Sequence, residues 1–191
     1  VGSEMCIRDS VSTKEAVDVI RHAKKRGLKI TCDTAPPYFC LNETVLSSYN
    51  TAFKLSPPLR TEDDRLAIIE AIKDGTIDAI ASDHRSRSKD TKIQPFSAAS
   101  VGATGIETLF LLTLELVQKN IISLNKAISM ITINPAKLLK LKKPELQEDK
   151  DATFFIFKDK IIDKIKQKEF KNSPTPFDGR AVSYTHLRAH E

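Results

Sequence analysis

The sequence predicts an α/β protein, a parallel sheet with helical crossovers followed by a small separate β element. Two observations carry this expectation. Helical stretches with capping signals alternate with short apolar runs at crossover spacing, and a late strand-like run follows the last helical stretch. Ser12-Thr13-Lys14-Glu15 has a capping-box pattern, with Ala16, Val17, Ile20 and Ala23 at helical spacing until Gly27, predicting a helix of about 14 residues. Residues 28–34 (LKITCDT) alternate as a strand, with Leu28, Ile30 and Cys32 on one face, and Ala35-Pro36-Pro37 ends it. Thr61 caps a second helix with early acidic residues Glu62, Asp63 and Asp64, and Gly75 stops it. Residues 76–82 (TIDAIAS) read as a buried parallel strand ending at Asp83-His84. Residues 85–100 are loop-like. Residues 105–118 form a strongly apolar helix closed by Lys119-Asn120. Ser123 begins another helix, Asn134-Pro135 a short one through Leu141, residues 152–157 (ATFFIF) are the late strand, and Phe177-Asp178-Gly179 lies in a final loop. A complete (β/α)8 barrel needs about 250 residues, so the expectation is the C-terminal units of a TIM-type barrel plus part of a small β domain.

Composition narrows the classes. Of 191 residues 40% are hydrophobic and 29% charged, without tryptophan and without an apolar run near the roughly 18 residues of a membrane span. With 6 glycines and 9 prolines the chain is neither fibrous nor low-complexity. The formal charge of +5 is spread along helical stretches, with no basic block interleaved with aromatics, so no nucleic-acid partner and no membrane partner are expected. Three cysteines at irregular spacing suit a reducing cytoplasm.

Both ends are expected to be foreign to the protein. Residues 1–10 (VGSEMCIRDS) are encodable by GTG GGC TCG GAG ATG TGT ATA AGA GAC AGN. Its reverse complement, in frame from Ala181, encodes Ala181 and then residues 182–190 (VSYTHLRAH). The match runs codon for codon, in the pattern of a transposase adapter from sequencing-library preparation. Residues 1–10 and 182–191 are therefore set aside as adapter-derived. The expected division is residues 11–141 for the barrel part and 142–181 for the small β element and C-terminal loop. Setting the ends aside removes Cys6, His186 and His190 as metal ligands, leaving Cys32, Cys40, His22 and His84.

Asp83 stands where a barrel strand ends, the face on which barrel enzymes place catalytic groups, although an aspartate after a strand is commonly a turn former or helix cap. Six segments give it context: VSTKEAVDVIRHAKKRGLKIT, KLSPPLRTEDDR, DGTIDAIASDH, GATGIETLF, ITINPAKLL and PTPFDG. In this order and spacing they resemble the distal half of a dihydroorotase of the amidohydrolase superfamily. The resemblance implies a zinc-dependent cytoplasmic hydrolase of cyclic amide C–N bonds, which interconverts N-carbamoyl-aspartate and dihydroorotate in pyrimidine biosynthesis. It makes Asp83 a zinc ligand and the general acid/base. The family's HxH pair, bridging carboxylate and two further histidines are not in this chain, and the last of those histidines falls at Ser10. The substrate-contacting positions correspond to Ser56, Arg87, Val101 and Gly102, where the family has asparagine, histidine and a Phe-Gly pair. TPHH of many members becomes Ala35-Pro36-Pro37-Tyr38.

The resemblance also implies an alternative. Some members have lost the metal site and assemble with aspartate transcarbamoylase, so a homo-oligomer or that enzyme is a possible partner, beside a small-molecule substrate. The piece alone is expected to be inactive. Among the remaining candidates, His22 lies with Asp18, Arg21 and Lys25 on a polar helix face and reads as solvated. His84 is read as orienting its loop by hydrogen bonding. Cys32 reads as core, Cys40 is undecided between core and reactive thiol, and Arg60 is read as bracing the loop after Pro58.

Overall fold

A computed structural model describes residues 7–8, 10–141, 148, 154–157, 161–165, 174–184 and 188–190. The central feature is a parallel three-stranded sheet of β1 (Ile7–Arg8), β2 (Thr31–Thr34) and β3 (Ala79–Ile80), in that order. Ile7 pairs with Thr31, and Asp33 and Thr34 pair with Ala79 and Ile80. The main chain extends this pairing past the strands: Val11 N–H donates to Asp33 O at 2.8 Å and Ala81 N–H to Thr34 O at 2.8 Å. Parallel neighbours need crossovers, and helices supply them. Helix α1 (Lys14–Lys25) joins β1 to β2, and β2 is joined to β3 through the short α2 (Pro36–Cys40) and the longer α3 (Glu62–Asp74).

Capping explains where the helices begin. Thr13, one residue later than the capping-box pattern places it, caps α1 by accepting from Ala16 N–H, while Ser12 is buried. Thr61 is the expected N-cap of α3, and it forms a reciprocal box with Asp64. Asp64 also accepts from Lys14 N–H at 2.8 Å, so one carboxylate serves both helix N-termini. Partial burial would raise its pKa, but the hydrogen bonds from Lys14 and Thr61 outweigh it and hold the carboxyl below its usual range.

The strand after α1 is shorter than the alternation suggests. Gly27 at φ 79° donates to Lys24 O and Leu28 N–H donates to Ala23 O, the two bonds of a Schellman stop. Leu28 thus belongs to the helix cap and is 51% exposed, while Cys32 and Thr34 carry the inward face of β2. Behind the sheet Val17, Ile20, Ile68, Ile72, Ile77, Ile80, Leu116 and Met130 form the main core.

The loop-like stretch after Asp83 contains one short turn, α4 (Lys89–Lys92). Next come α5 (Ile106–Gln118), α6 (Leu124–Ile131) capped by Ser123, and α7 (Ile133–Leu138). Asn120 at φ 55° closes α5, as Lys119-Asn120 signalled. Helix α5 is apolar nearly all round because it faces two ways. Leu116 joins the main core, and Leu111 and Leu112 pack with Ile165, Phe177 and Val182. The small β region pairs β4 (Phe154–Ile156) with β7 (Arg188–His190) and β5 (Ile161–Lys164) with β6 (Ala181–Tyr184), both antiparallel. Ala152 and Thr153 of the expected late strand, and Cys6 and His186 of the terminal segments, lie outside the described residues.

Candidate functional site

Asp83 follows β3 and carries a positive φ of 45°, a left-handed conformation that a short polar side chain tolerates better than most. Two glycines let the chain come close enough to hold this turn. A Cβ on Gly105 would lie 2.3 Å from Ser82 O, and one on Gly102, at φ 113°, would lie 2.7 Å from Arg85 Cβ. Between them Arg85 N–H donates to Ala103 O at 2.9 Å, and His84 bridges Ala103 in parallel fashion.

The Asp83 side chain is 10% exposed and faces the guanidinium of Arg85, whose Nε stands 3.2 Å from Oδ1. On another side lies Tyr38, set there by the turn through Ala35-Pro36-Pro37. Burial and the neighbouring Asp83 carboxylate push its phenol well above the usual range, and its hydroxyl donates to Pro57 O at 3.0 Å. Beyond Arg85, the Arg87 Nε donates to Val101 O at 2.9 Å, and Gly102 N–H donates to Lys54 O at 3.0 Å. These bonds bring the segments of Asp83, Arg87, Val101-Gly102 and Lys54 to Ser56 to one place. Ser56 and Arg87 are exposed and Gly102 is buried.

The described residues do not enclose a substrate there. A recess lined by Leu55, Asp83, Thr104, Gly105 and Phe177 holds about 10 Å³, roughly one water, against the 300 Å³ or more of a typical ligand pocket. A larger space of about 180 Å³ lies elsewhere, between β2, β3 and α7. Among the described residues no group of three or more His, Cys, Asp or Glu side chains is placed to hold a metal.

His22, Cys32 and Cys40 do not join the Asp83 group, and Arg60 lies near Tyr38. His22 is exposed on α1, its Nδ1 2.7 Å from Asp18 O. Cys32 is buried, donates to Thr76 O at 3.3 Å, and is pushed by burial up to about 11. Cys40 is half-buried and burial likewise raises its thiol, so neither cysteine is an activated nucleophile. Arg60 contributes its carbonyl, which accepts from Glu43 N–H at 2.7 Å. Sequence reasoning missed Arg85 as the ion-pair partner of Asp83, for which the one available signal is a basic residue two places beyond the aspartate. It also missed Lys92, which is buried and donates to Thr51 O at 2.7 Å. Burial, with Lys54 and Arg87 nearby, pushes its ammonium down to about 8.

Known proteins give this geometry a family. Over 180 residues the chain is 39% identical to the dihydroorotase of Anaplasma phagocytophilum, taking in 93% of this chain and 40% of that protein. It is 46% identical over 131 residues to the dihydroorotase of Desulforapulum autotrophicum, taking in 69% of this chain and 31% of that protein. The solved L-hydantoinase (dihydropyrimidinase) of Arthrobacter aurescens matches with a TM-score of 0.84 at 26% identity, over 96% of this chain and 44% of that one. Dihydroorotase of Saccharomyces cerevisiae, solved with 5-fluoroorotic acid, matches with a TM-score of 0.79 at 14% identity, over 96% of this chain and 51% of that one, a likeness of fold. The chain thus spans about 40% of the length of the curated relatives it matches first. The expected partial α/β barrel is borne out by these matches. Since the family model matches residues 4–182, the chain belongs to the amidohydrolase family.

Proposed function

We propose that the whole protein is a dihydroorotase, a cyclic amidohydrolase that interconverts dihydroorotate and N-carbamoyl-aspartate. One observation carries the reading: Asp83 stands at the C-terminal end of a parallel strand, held in a left-handed turn, with the Arg85 and Arg87 segments beside it. The similarity of this chain to dihydroorotases supports the substrate class. In the hydrolytic direction water adds to the ring carbonyl carbon. Asp83 takes the water's proton and returns it to the ring nitrogen as the C–N bond breaks, leaving the carbamoyl amide and a new carboxylate. Arg87, its guanidinium plane fixed by the bond to Val101 O, would meet the substrate carboxylate, with Ser56 and Gly102 beside it.

The family implies a metal, and the resemblance to dihydroorotases points to zinc. The donor set present here does not build its site, because among the described residues no three His, Cys, Asp or Glu side chains come together to hold an ion, and the Asp83 carboxylate already stands 3.2 Å from the Arg85 guanidinium. The division at residue 141, the adapter origin of residues 1–10 and 182–191, and a cytoplasmic setting belong to the same proposal.

The test is steady-state turnover of dihydroorotate by the whole protein. Asp83→Asn is expected to lower kcat by roughly 10²- to 10⁴-fold. Arg87→Ala is expected to raise KM while leaving kcat nearly unchanged. A well-folded wild type without turnover overturns the reading, and co-purification with aspartate transcarbamoylase would then mark it as an assembly subunit.

A further inference from the structure

His84 is an exposed histidine next to the reactive carboxylate, and the chemistry above does not use it. Helix α5 begins without a side-chain cap: its N-cap position is Gly105, which has no side chain to accept a hydrogen bond. The acceptor comes from far upstream. Nδ1 of His84 receives the N–H of Gly105 at 3.4 Å and the N–H of Ile106 at 3.3 Å. Both contacts are long, as expected for one lone pair shared between two donors. A ring nitrogen that accepts carries no hydrogen, so the geometry requires the proton on Nε2.

This contact closes a small circuit around Asp83. On one side Ser82 Oγ accepts from His84 N–H at 3.3 Å. On the other, Gly105 lies so close to Ser82 that no Cβ fits. Arg85 N–H donates to Ala103 O at 2.9 Å. Within this circuit Asp83 carries a positive φ, a conformation that persists only where its surroundings impose it. The imidazole thus ties the first turn of a 13-residue helix to the backbone that aims the carboxylate.

We propose that His84 is a positioning residue for Asp83, its Nδ1 capping α5 and so fixing the left-handed turn that aims the carboxylate. The proposal rests on the dihydroorotase reading for its kinetic consequence and on geometry alone for its structural one. The side chains that test it differ in reach. Asn places its amide oxygen near the position of Nδ1, Gln extends toward that of Nε2, and Ala has neither.

The experiment compares the whole wild-type protein with His84→Ala, His84→Gln and His84→Asn, by crystal structure and by dihydroorotate turnover. Ala and Gln are expected to lose the contact to Gly105 and Ile106 and to move Asp83 out of positive φ. In both, kcat should fall roughly 10- to 100-fold with KM little changed, because a displaced catalytic group costs transition-state stabilisation more than binding. Asn should restore the turn and most of kcat, a rescue that a bulk-packing role does not give. An unchanged Asp83 backbone in His84→Ala overturns the proposal, as do equal effects of Asn and Gln. A folded wild type without turnover sinks the dihydroorotase reading, and the crystallographic comparison still decides the role of His84.

Discussion

A methyl group at Gly105 would stand 2.3 Å from Ser82 O, closer than any carbon can sit to a carbonyl oxygen, so residues 82 and 105 fix one another's backbones. Gly105→Ala must therefore push the Asp83 turn aside or lift the start of α5. A cost of about 1–3 kcal/mol is expected, the range for overpacking a tight site. Urea unfolding of the whole protein measures it, and a variant as stable as wild type would show that the close approach is not maintained in solution. By contrast Gly27 and Gly75, which have open space around them, serve turns only. The sequence showed this difference poorly. Asp83 and Gly102 stood out as candidates because they fall in ordered segments resembling dihydroorotases, and Arg87 because of its spacing from Asp83. The pairing of Asp83 with Arg85 and the cap from His84 were not, since each depends on side-chain direction within a loop. Residues 84 and 105 meet only once β3 and α5 are placed in space.

Helix α5 shows how an element joins two bodies of structure. In the middle of its apolar surface stands Glu115, 8% exposed, which takes both Nε and Nη2 of Arg180 at 2.8 and 2.9 Å. Arg180 comes from the turn before β6, so this pair pins the small β region to the helix, beside Leu111, Leu112 and Phe177. Burial by itself would raise the Glu115 carboxyl, but Arg180 and then Lys119 outweigh it, and the net direction is below the ordinary 4.5. A carboxyl lowered in the fold gives stability that is fully present above the ordinary glutamate range. That stability drains as pH falls through the lower folded value. Glu115→Ala is expected to cost about 1–3 kcal/mol at neutral pH, since it leaves the half-buried Arg180 guanidinium without its carboxylate. Thermal unfolding of wild type and Glu115→Gln across pH 3 to 7 tests the sign, for the gap between them should close toward the acid end. A gap that widens in acid would refute the assignment. Helix boundaries here were readable from local chemistry, as at Thr61 and Lys119-Asn120, whereas strand extents were not. Leu28 fits the alternation, yet its N–H is consumed by the cap of α1, a competition that periodicity does not register.

At the scale of the molecule, β3 is one outer strand of a three-stranded parallel sheet, and the other, β1, is made by Ile7 and Arg8 of the segment proposed as adapter-derived. A closed barrel has no such edges, because every strand finds a neighbour on both sides. Among the exposed apolar side chains are three on and just after α7: Ile133 at 44%, Leu139 at 61% and Leu141 at 59% exposure. Leu138 and Leu139 of this region also line the 180 Å³ space against β2 and β3. The recess at Asp83 holds about one water. These features agree with a chain that spans about 40% of its curated relatives, and they set an expectation for the 191-residue chain expressed alone. It should hydrolyse no dihydroorotate at any zinc concentration, because among the described residues no three His, Cys, Asp or Glu side chains come together, where a catalytic metal site needs three protein ligands. It should also unfold in urea with a shallow slope, since unpaired edges and open apolar surface leave less area to expose on unfolding than a closed barrel would. Turnover assays with added zinc and a denaturation curve check both points. Zinc-dependent turnover with one steep transition would show that these residues complete a site and a fold by themselves, and the reading of the chain as part of a larger barrel would have to be given up.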